Sequence, residues 1–239
     1  MIKSPLSVIL PTLNESENIK PLVYKIIKLI NPRELIIVDD NSIDGTQQKI
    51  NELLIKFPQV KTVINNPPIG LTNSIQLGIS KSTSRYIAWM DADFSHPPET
   101  LLKMINKIYS CDLVVGSWYK KGGEDKRKEK IVRLMSLAIN KICQLLFNNN
   151  ITTYTSGFIL LKKHIIKSFQ LKGDYGEYCI DLLVRMSAKK YKISEVSFVC
   201  RSRIKGVTKT SPNLFIYIKR SIRYLTIIFS LHQYILKKR

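Results

Sequence analysis

The residues best suited to chemistry in this 239-residue sequence are Asp91 and Asp93, two apart and directly behind the apolar run Tyr86 to Met90. In extended backbone, side chains two residues apart point the same way. Both carboxylates can therefore face one point at a strand end. Two carboxylates are a partial shell for Mg²⁺ or Mn²⁺, ions that keep waters and take further ligands from substrate phosphates. Two more polar clusters follow apolar runs: Asn14-Glu15 after Leu6 to Leu10, and Asp39-Asp40 after Leu35 to Val38. A carboxylate at the second place suits a nucleobase N–H or a ribose hydroxyl. Helix capping, the ordinary use of such a residue, falls to Asp44 and leaves Asp40 free. Acids at three strand ends suggest a metal bridging to phosphate.

The elements that must hold these groups are legible in the apolar pattern. Leu6 to Leu10, Leu35 to Val38, Val60 to Ile64, Tyr86 to Met90 and Leu113 to Val115 are continuous runs, as expected of strands covered on both faces. Helical patterns fall between them near 16–30, 45–56, 71–81 and 98–109, the last opened by Pro97-Pro98. This order predicts an α/β fold: a Rossmann-like, doubly wound, mostly parallel sheet with its ligand beyond the C-terminal strand ends. After residue 116 the pattern changes. Residues 118–130 are charged and contain Gly122-Gly123, which predicts a mobile loop. An amphipathic helix is expected over 131–147, a strand at Gly157 to Leu161, a helix at Tyr175 to Lys189 and a strand at Ser194 to Val199.

Lys plus Arg is 38 and Asp plus Glu is 18, a formal net charge of +20. A surface that basic expects an anionic partner. No acidic residue follows Glu195, while ten basic ones do; seven basic residues stand against three acidic between Lys120 and Arg133. Neither region carries a nucleic-acid-binding motif, and acids at the strand ends oppose a phosphate groove, so no nucleic acid is expected. The tail from Asn213 to Leu236 is rich in Ile, Leu, Phe and Tyr, but its longest uncharged piece, Tyr224 to Leu236, has thirteen residues. A spanning helix needs about 20. The tail instead fits an amphipathic helix lying on an anionic membrane surface, or one docked on the domain or another subunit. Cys111, Cys143, Cys179 and Cys200 make no C-x-x-C pair, and the first apolar run is too short for a secretory leader. A reducing cytoplasm is expected.

Six segments, in order over about residues 6–210, resemble glycosyltransferase family 2. The match is to its dolichol-phosphate (polyprenol-phosphate) mannose synthase branch. They are Leu10-Pro11-Thr12-Leu13-Asn14-Glu15, Val38 through Thr46 (V-D-D-N-S-I-D-G-T), Met90 through Glu99 (M-D-A-D-F-S-H-P-P-E), Val115 through Tyr119 (V-G-S-W-Y), Thr155-Ser156-Gly157-Phe158, and Arg203 through Lys209 (R-I-K-G-V-T-K). The resemblance implies a GT-A domain over 1–210, with 211–239 as a basic amphipathic helix at the cytoplasmic membrane face. It implies a nucleotide-sugar donor, GDP-mannose foremost, and a polyprenyl-phosphate acceptor. Pro11, Asn14, Glu15, Val38 and Asp40 would bind donor base and ribose. Asp91, Asp93 and Ser95 would hold the metal and diphosphate. Arg203 and Lys209 would close over the donor phosphates, and Arg133 and Ser136 would hold the acceptor phosphate. Asp93, Arg203 and Arg133 are the expected catalytic residues; His96 is expected to support the metal loop. A membrane-anchoring partner or a second copy of the chain would complete an assembly.

Four positions depart from the family pattern: Leu13 replaces Tyr, Trp118 replaces Arg, Thr153 replaces Asp and Ser95 replaces Gln. Trp118 removes an expected acceptor-phosphate ligand; it packs under lipid or sugar, or fills core. Two other readings follow from the departures: a family 2 enzyme using another donor such as UDP-glucose with a glycan acceptor, or a non-catalytic nucleotide-sugar-binding subunit.

Overall fold

A computed structural model describes residues 4–65, 70–173, 175–203 and 214–237, and of 214–220 the backbone alone. The first half alternates strand and helix. β1 (Ser4–Thr12), β2 (Pro32–Asp39), β3 (Val60–Ile64), β4 (Tyr86–Trp89) and β5 (Leu113–Ser117) are linked by α1 (Ile19–Ile30), α2 (Thr46–Lys56), α3 (Leu71–Lys81) and α4 (Glu99–Ile108). Then follow β6 (Glu124–Lys126), α5 (Lys130–Leu146), β7 (Ile159–Lys162), α6 (Lys163–Ile166), α7 (Glu177–Ala188), β8 (Ile193–Ser197), β9 (Val199–Arg201) and α8 (Leu214–Leu236).

Seven strands form one sheet in the order β3-β2-β1-β4-β7-β5-β8. All neighbours are parallel except β7, which runs antiparallel between β4 and β5. β1 lies between β2 and β4, pairing Pro11 with Val38 and Ile9 with Trp89. The chain leaves β1 toward β2 on one side and returns to β4 on the other. A crevice opens at such a reversal, outside the carboxyl ends of the strands. That order brings the clusters after Thr12, Asp39 and Met90 to one place.

Alternation along β1 sends Val8 and Leu10 to one face of the sheet and Ile9 to the other. The first face packs Leu22, Val23 and Ile26 of α1 and Leu101 and Met104 of α4; the second packs Ile75 of α3 and Leu182 and Leu183 of α7. Each fully buried aliphatic side chain contributes about 1.5–3 kcal/mol. Contact is closest where α3 crosses β1. A Cβ on Gly78 would collide with the Ile9 side chain.

Two sequence expectations change. The 118–130 segment is not all loop: β6 pairs in parallel with β9, setting Glu124 opposite Val199 and Lys126 opposite Arg201. A three-residue strand is too short to show a period. The cap of α2 is Gly45, at φ 88°, rather than Asp44. Asp44 instead accepts from Thr46 N and Ser16 N, both at 3.1 Å. α8 packs on α7 and α5 through buried Ile228 and Leu231, and leaves Ile222, Leu225 and Phe229 exposed on its outer face. No helix of the described residues is long and apolar enough to cross a membrane.

Candidate active site

Hydrogen bonds tie the loops after β1 and β2 together. Asn14, at φ 50°, donates its backbone N–H to Ser42 Oγ (2.8 Å) and accepts from Ile43 N (2.9 Å). Glu15 N donates to Thr46 Oγ1 (2.8 Å), and Asp40 N to Thr12 O (2.8 Å). Asp39 is fully buried and accepts from Ser42 N and Oγ and Gln47 Nε2. It is a scaffold carboxylate. Asp40 faces the cleft, and its Oδ1 accepts from Asn65 Nδ2 (3.0 Å) and Ser74 Oγ (2.5 Å). The sequence reading missed Asn65 and Ser74. Nothing in their local pattern marks them, since they reach Asp40 only through the β2–β3 pairing and the entry of α3.

At the end of β4 the chain turns around His96, which is 3% exposed and stacked on Phe158. His96 Nδ1 accepts the Asp91 N–H at 3.0 Å, so the ring positions the turn. Ser95 N donates to Asp93 Oδ1 (3.0 Å), and Ser95 Oγ donates to Asp91 Oδ2 (3.4 Å). Asp91 is open to the cleft but ringed by protein on its other sides. Partial burial there, reinforced by the carboxylates of Asp93 and Glu15 and opposed by His96, raises its pKa from the ordinary value. Such a group calls for a cation.

Arg203 brings a cation to its two neighbouring carboxylates. Its Nη2 lies 3.0 Å from Glu15 Oε1 and 3.2 Å from Asp93 Oδ2. Glu15 Oε2 accepts from Asn18 Nδ2 (2.8 Å), which fixes the carboxylate for this contact. Lys209 lies outside the described residues.

These groups line one cleft of about 610 Å³. Pro11, Glu15, Asp40, Asp91, Asp93, Ser95, Ser136 and Arg203 all border it. Three expected residues do not. Val38 is fully buried, the Asn14 side chain is engaged by the β2–α2 loop, and Arg133 is exposed on α5. The same cleft is lined by α5, through Val132, Met135 and Ile139 beside Ser136. Ser136 Oγ joins Tyr119 Oη (3.2 Å) and Thr155 Oγ1 (3.1 Å) in a hydroxyl cluster.

The segment before Thr155 is held from behind. Glu195 accepts from Thr152 N (2.9 Å), Thr152 Oγ1 (2.8 Å) and Thr153 N (3.0 Å). It thus puts a carboxylate against the very segment whose own acid is replaced by Thr153. Trp118 is 5% exposed and packs edge-on against Phe198, with the Arg127 guanidinium 4.9 Å from its ring centroid.

Asp91 and Asp93 suit a hard divalent cation by donor chemistry. Among the described residues no group of three His, Cys, Asp or Glu could cage a metal. The pair therefore fits an ion shared with substrate oxygens and water, rather than one held by protein alone.

A mostly parallel sheet presenting strand-end carboxylates to a cleft, with a helical tail, is the GT-A glycosyltransferase fold. The chain belongs to glycosyl transferase family 2, whose family model matches residues 7–169. It is 30% identical over 226 residues to the dolichol-phosphate mannosyltransferase of Pyrococcus furiosus, covering 92% of this chain and 63% of that protein. The chain thus spans less than two thirds of that relative's length. It is 27% identical over 231 residues to the dolichol-phosphate mannosyltransferase of Saccharomyces cerevisiae, covering 92% of this chain and 86% of that one. Among solved structures, glucosyl-3-phosphoglycerate synthase of Mycobacterium tuberculosis with bound UDP superposes at a TM-score of 0.72, with 16% identity, over 95% of this chain and 80% of that chain. The same enzyme with Mn²⁺, UDP and glucosyl-3-phosphoglycerate gives the same score.

Proposed function

We propose that this protein moves a hexose, with mannose from GDP-mannose as the expected donor pair, onto a polyprenyl phosphate at the cytoplasmic face of a membrane. One observation carries the reading. Asp91, Asp93, Glu15 and Asp40 border a cleft that is also lined by the apolar residues Val132, Met135 and Ile139 of α5. The acidic groups suit a metal-bound nucleoside diphosphate, and the apolar residues of α5 suit a lipid-linked acceptor. The two dolichol-phosphate mannosyltransferases support the same pairing.

In this reading Asp40 accepts from the donor base or ribose, while Pro11 and Glu15 shape the same pocket. Asp91 and Asp93 would hold Mg²⁺ or Mn²⁺, which when bound would neutralise charge on the diphosphate. Ser95 keeps both carboxylates aimed. Arg203 turns from Asp93 toward the leaving diphosphate, and Lys209 adds a second cation. Ser136 holds the acceptor phosphate from α5, with Arg133 at the outer edge of the same helix.

The acceptor needs no general base. A phosphate monoester has a second pKa of about 6 and is largely a dianion at neutral pH. Its oxygen attacks the anomeric carbon, the bond to the donor's β-phosphate oxygen breaks, and the electron pair leaves with the nucleoside diphosphate. The protein's work is to align the two anions and screen their repulsion. A single displacement inverts the anomeric centre. The exposed apolar residues of α8, with Arg223 and Lys237 among them, would rest on an anionic bilayer.

The test is transfer of labelled sugar from GDP-mannose, and from UDP-glucose in parallel, to a polyprenyl phosphate with and without Mn²⁺. Metal-dependent lipid product supports the reading. Its absence with both donors would sink it.

A further inference from the structure

We infer that Arg127, directly after the short strand β6, is the cation that grips the acceptor's phosphate, through a platform built from Asp125 and Trp118. The inference rests on the reading that the acceptor carries a phosphate.

The platform is fixed on three sides. Asp125 accepts from Arg127 Nε (2.9 Å) and Nη2 (2.6 Å), a two-point grip that sets the plane of the guanidinium. The Trp118 ring lies under the guanidinium, 4.9 Å from its carbon to the ring centroid. The β6–β9 pairing ties the strand to the chain just ahead of Arg203. Burial alone would lower the pKa of Arg127, but the hydrogen bonds to Asp125 hold it up. Charge is therefore retained with little of the side chain in water, its exposure being 20%.

Asp125 engages Nε and Nη2 and leaves Nη1 as a donor. The Trp118 ring borders the same cleft, while its Nε1 is buried without an acceptor among the described residues. Arg127 shares the cleft with Val132, Met135 and Ile139 of α5 and with the hydroxyl of Ser136. A fixed guanidinium beside an apolar helix face suits an anion with a hydrocarbon tail. Arg203, by contrast, is committed to Glu15 and Asp93, and Arg133 is exposed outside the cleft lining. Arg127 thus puts back a guanidinium where Trp118 stands in place of an arginine.

Binding of farnesyl phosphate and of inorganic phosphate, followed by tryptophan fluorescence, tests this, with GDP and Mn²⁺ binding measured alongside by thermal shift. Arg127→Gln is expected to weaken farnesyl phosphate tenfold or more and leave GDP binding within twofold. Lys121→Gln, at an exposed cation outside the cleft lining, is expected to weaken farnesyl phosphate less than threefold. Arg127→Lys keeps the charge, loses the two-point grip, and should fall between wild type and Gln, which covers a Gln variant that fails to fold. Unchanged farnesyl phosphate binding in Arg127→Gln, or equal weakening of both ligands, would overturn the assignment. Phosphate binding that depends on Arg127 without any farnesyl phosphate binding would keep the anion site and overturn the lipid acceptor. Binding of neither probe by wild type would overturn both.

Discussion

Arg203 Nη2 sits 3.2 Å from Asp93 Oδ2, joining residues 110 positions apart across the mouth of the cleft. The contact links the strand-end carboxylates to the chain that follows β9. It also puts a guanidinium beside the oxygens that a donor's metal would use. A metal-bound diphosphate would answer the same charge as Arg203, and its arrival would free the guanidinium. Arg203→Gln should weaken donor binding about tenfold, the scale of one charge-assisted hydrogen bond. The measurement is the thermal shift produced by GDP with Mn²⁺.

Asp93→Asn removes the proposed metal ligand and an anchor of Arg203 together. Loss of one preorganised electrostatic partner costs roughly 10²–10³ in turnover. The variant should lose at least that much and also lose Mn²⁺ dependence of its thermal shift. Its circular dichroism should match wild type, because Asp93 lines the cleft and packs no core.

Asp40→Asn tests the donor side. Asn65 and Ser74 donate to Asp40 Oδ1, so an amide there turns one accepting oxygen into a donor that faces them or faces the nucleotide. Nucleotide affinity should fall about tenfold, the cost of one good polar contact. Acceptor KM should stay within twofold.

Glu34 predicts acid sensitivity. It is 3% exposed and accepts from Ser7 Oγ (2.6 Å), Thr83 N (2.7 Å) and Lys61 Nζ (2.5 Å). Burial pushes its pKa up, but these hydrogen bonds prevail and bring it down to about 2. A depressed carboxyl stabilises the fold fully above its unfolded pKa of about 4.3 and loses that stability as pH falls toward the folded value. Wild type should lose roughly 2–3 kcal/mol between about pH 5 and pH 2 through this group. Urea melts of Glu34→Gln should show less of that slope, along with a lower stability at neutral pH.

Gly78→Ala tests the packing of α3 on β1. The added Cβ would meet the Ile9 side chain inside van der Waals distance. Overpacking of this kind costs about 1–3 kcal/mol. The denaturation midpoint should fall accordingly, with no change in nucleotide affinity once the protein is folded.

Much of the architecture is legible in the sequence because its strands are continuous apolar runs and its helices carry a clear 3.6-residue stripe. α1 shows this well, burying Ile19, Leu22, Val23, Ile26 and Ile30. The carboxylate pair is legible too, because two residues of spacing fix its direction. What escaped notice depends on contacts between distant segments. β6 has three residues and exists only through β9. Asp39 and Asp40 are adjacent and identical in type, yet one is buried scaffold and the other faces the cleft. Asn65, Ser74 and Glu195 act across 25, 34 and 42–43 residues of chain. Arg127 and Arg133 lie in one basic run, and only folding puts Arg127 in the lining of the cleft and leaves Arg133 outside it.

The most direct test of the central claim is the anomeric configuration of the lipid product. Purified protein is given GDP-mannose, Mn²⁺ and a polyprenyl phosphate, and the mannosyl linkage is read by NMR. A single displacement by the acceptor phosphate at Asp91 and Asp93 predicts a β-linked product from the α-linked donor, formed only with metal. An α-linked product, or transfer that proceeds equally without metal, would contradict it.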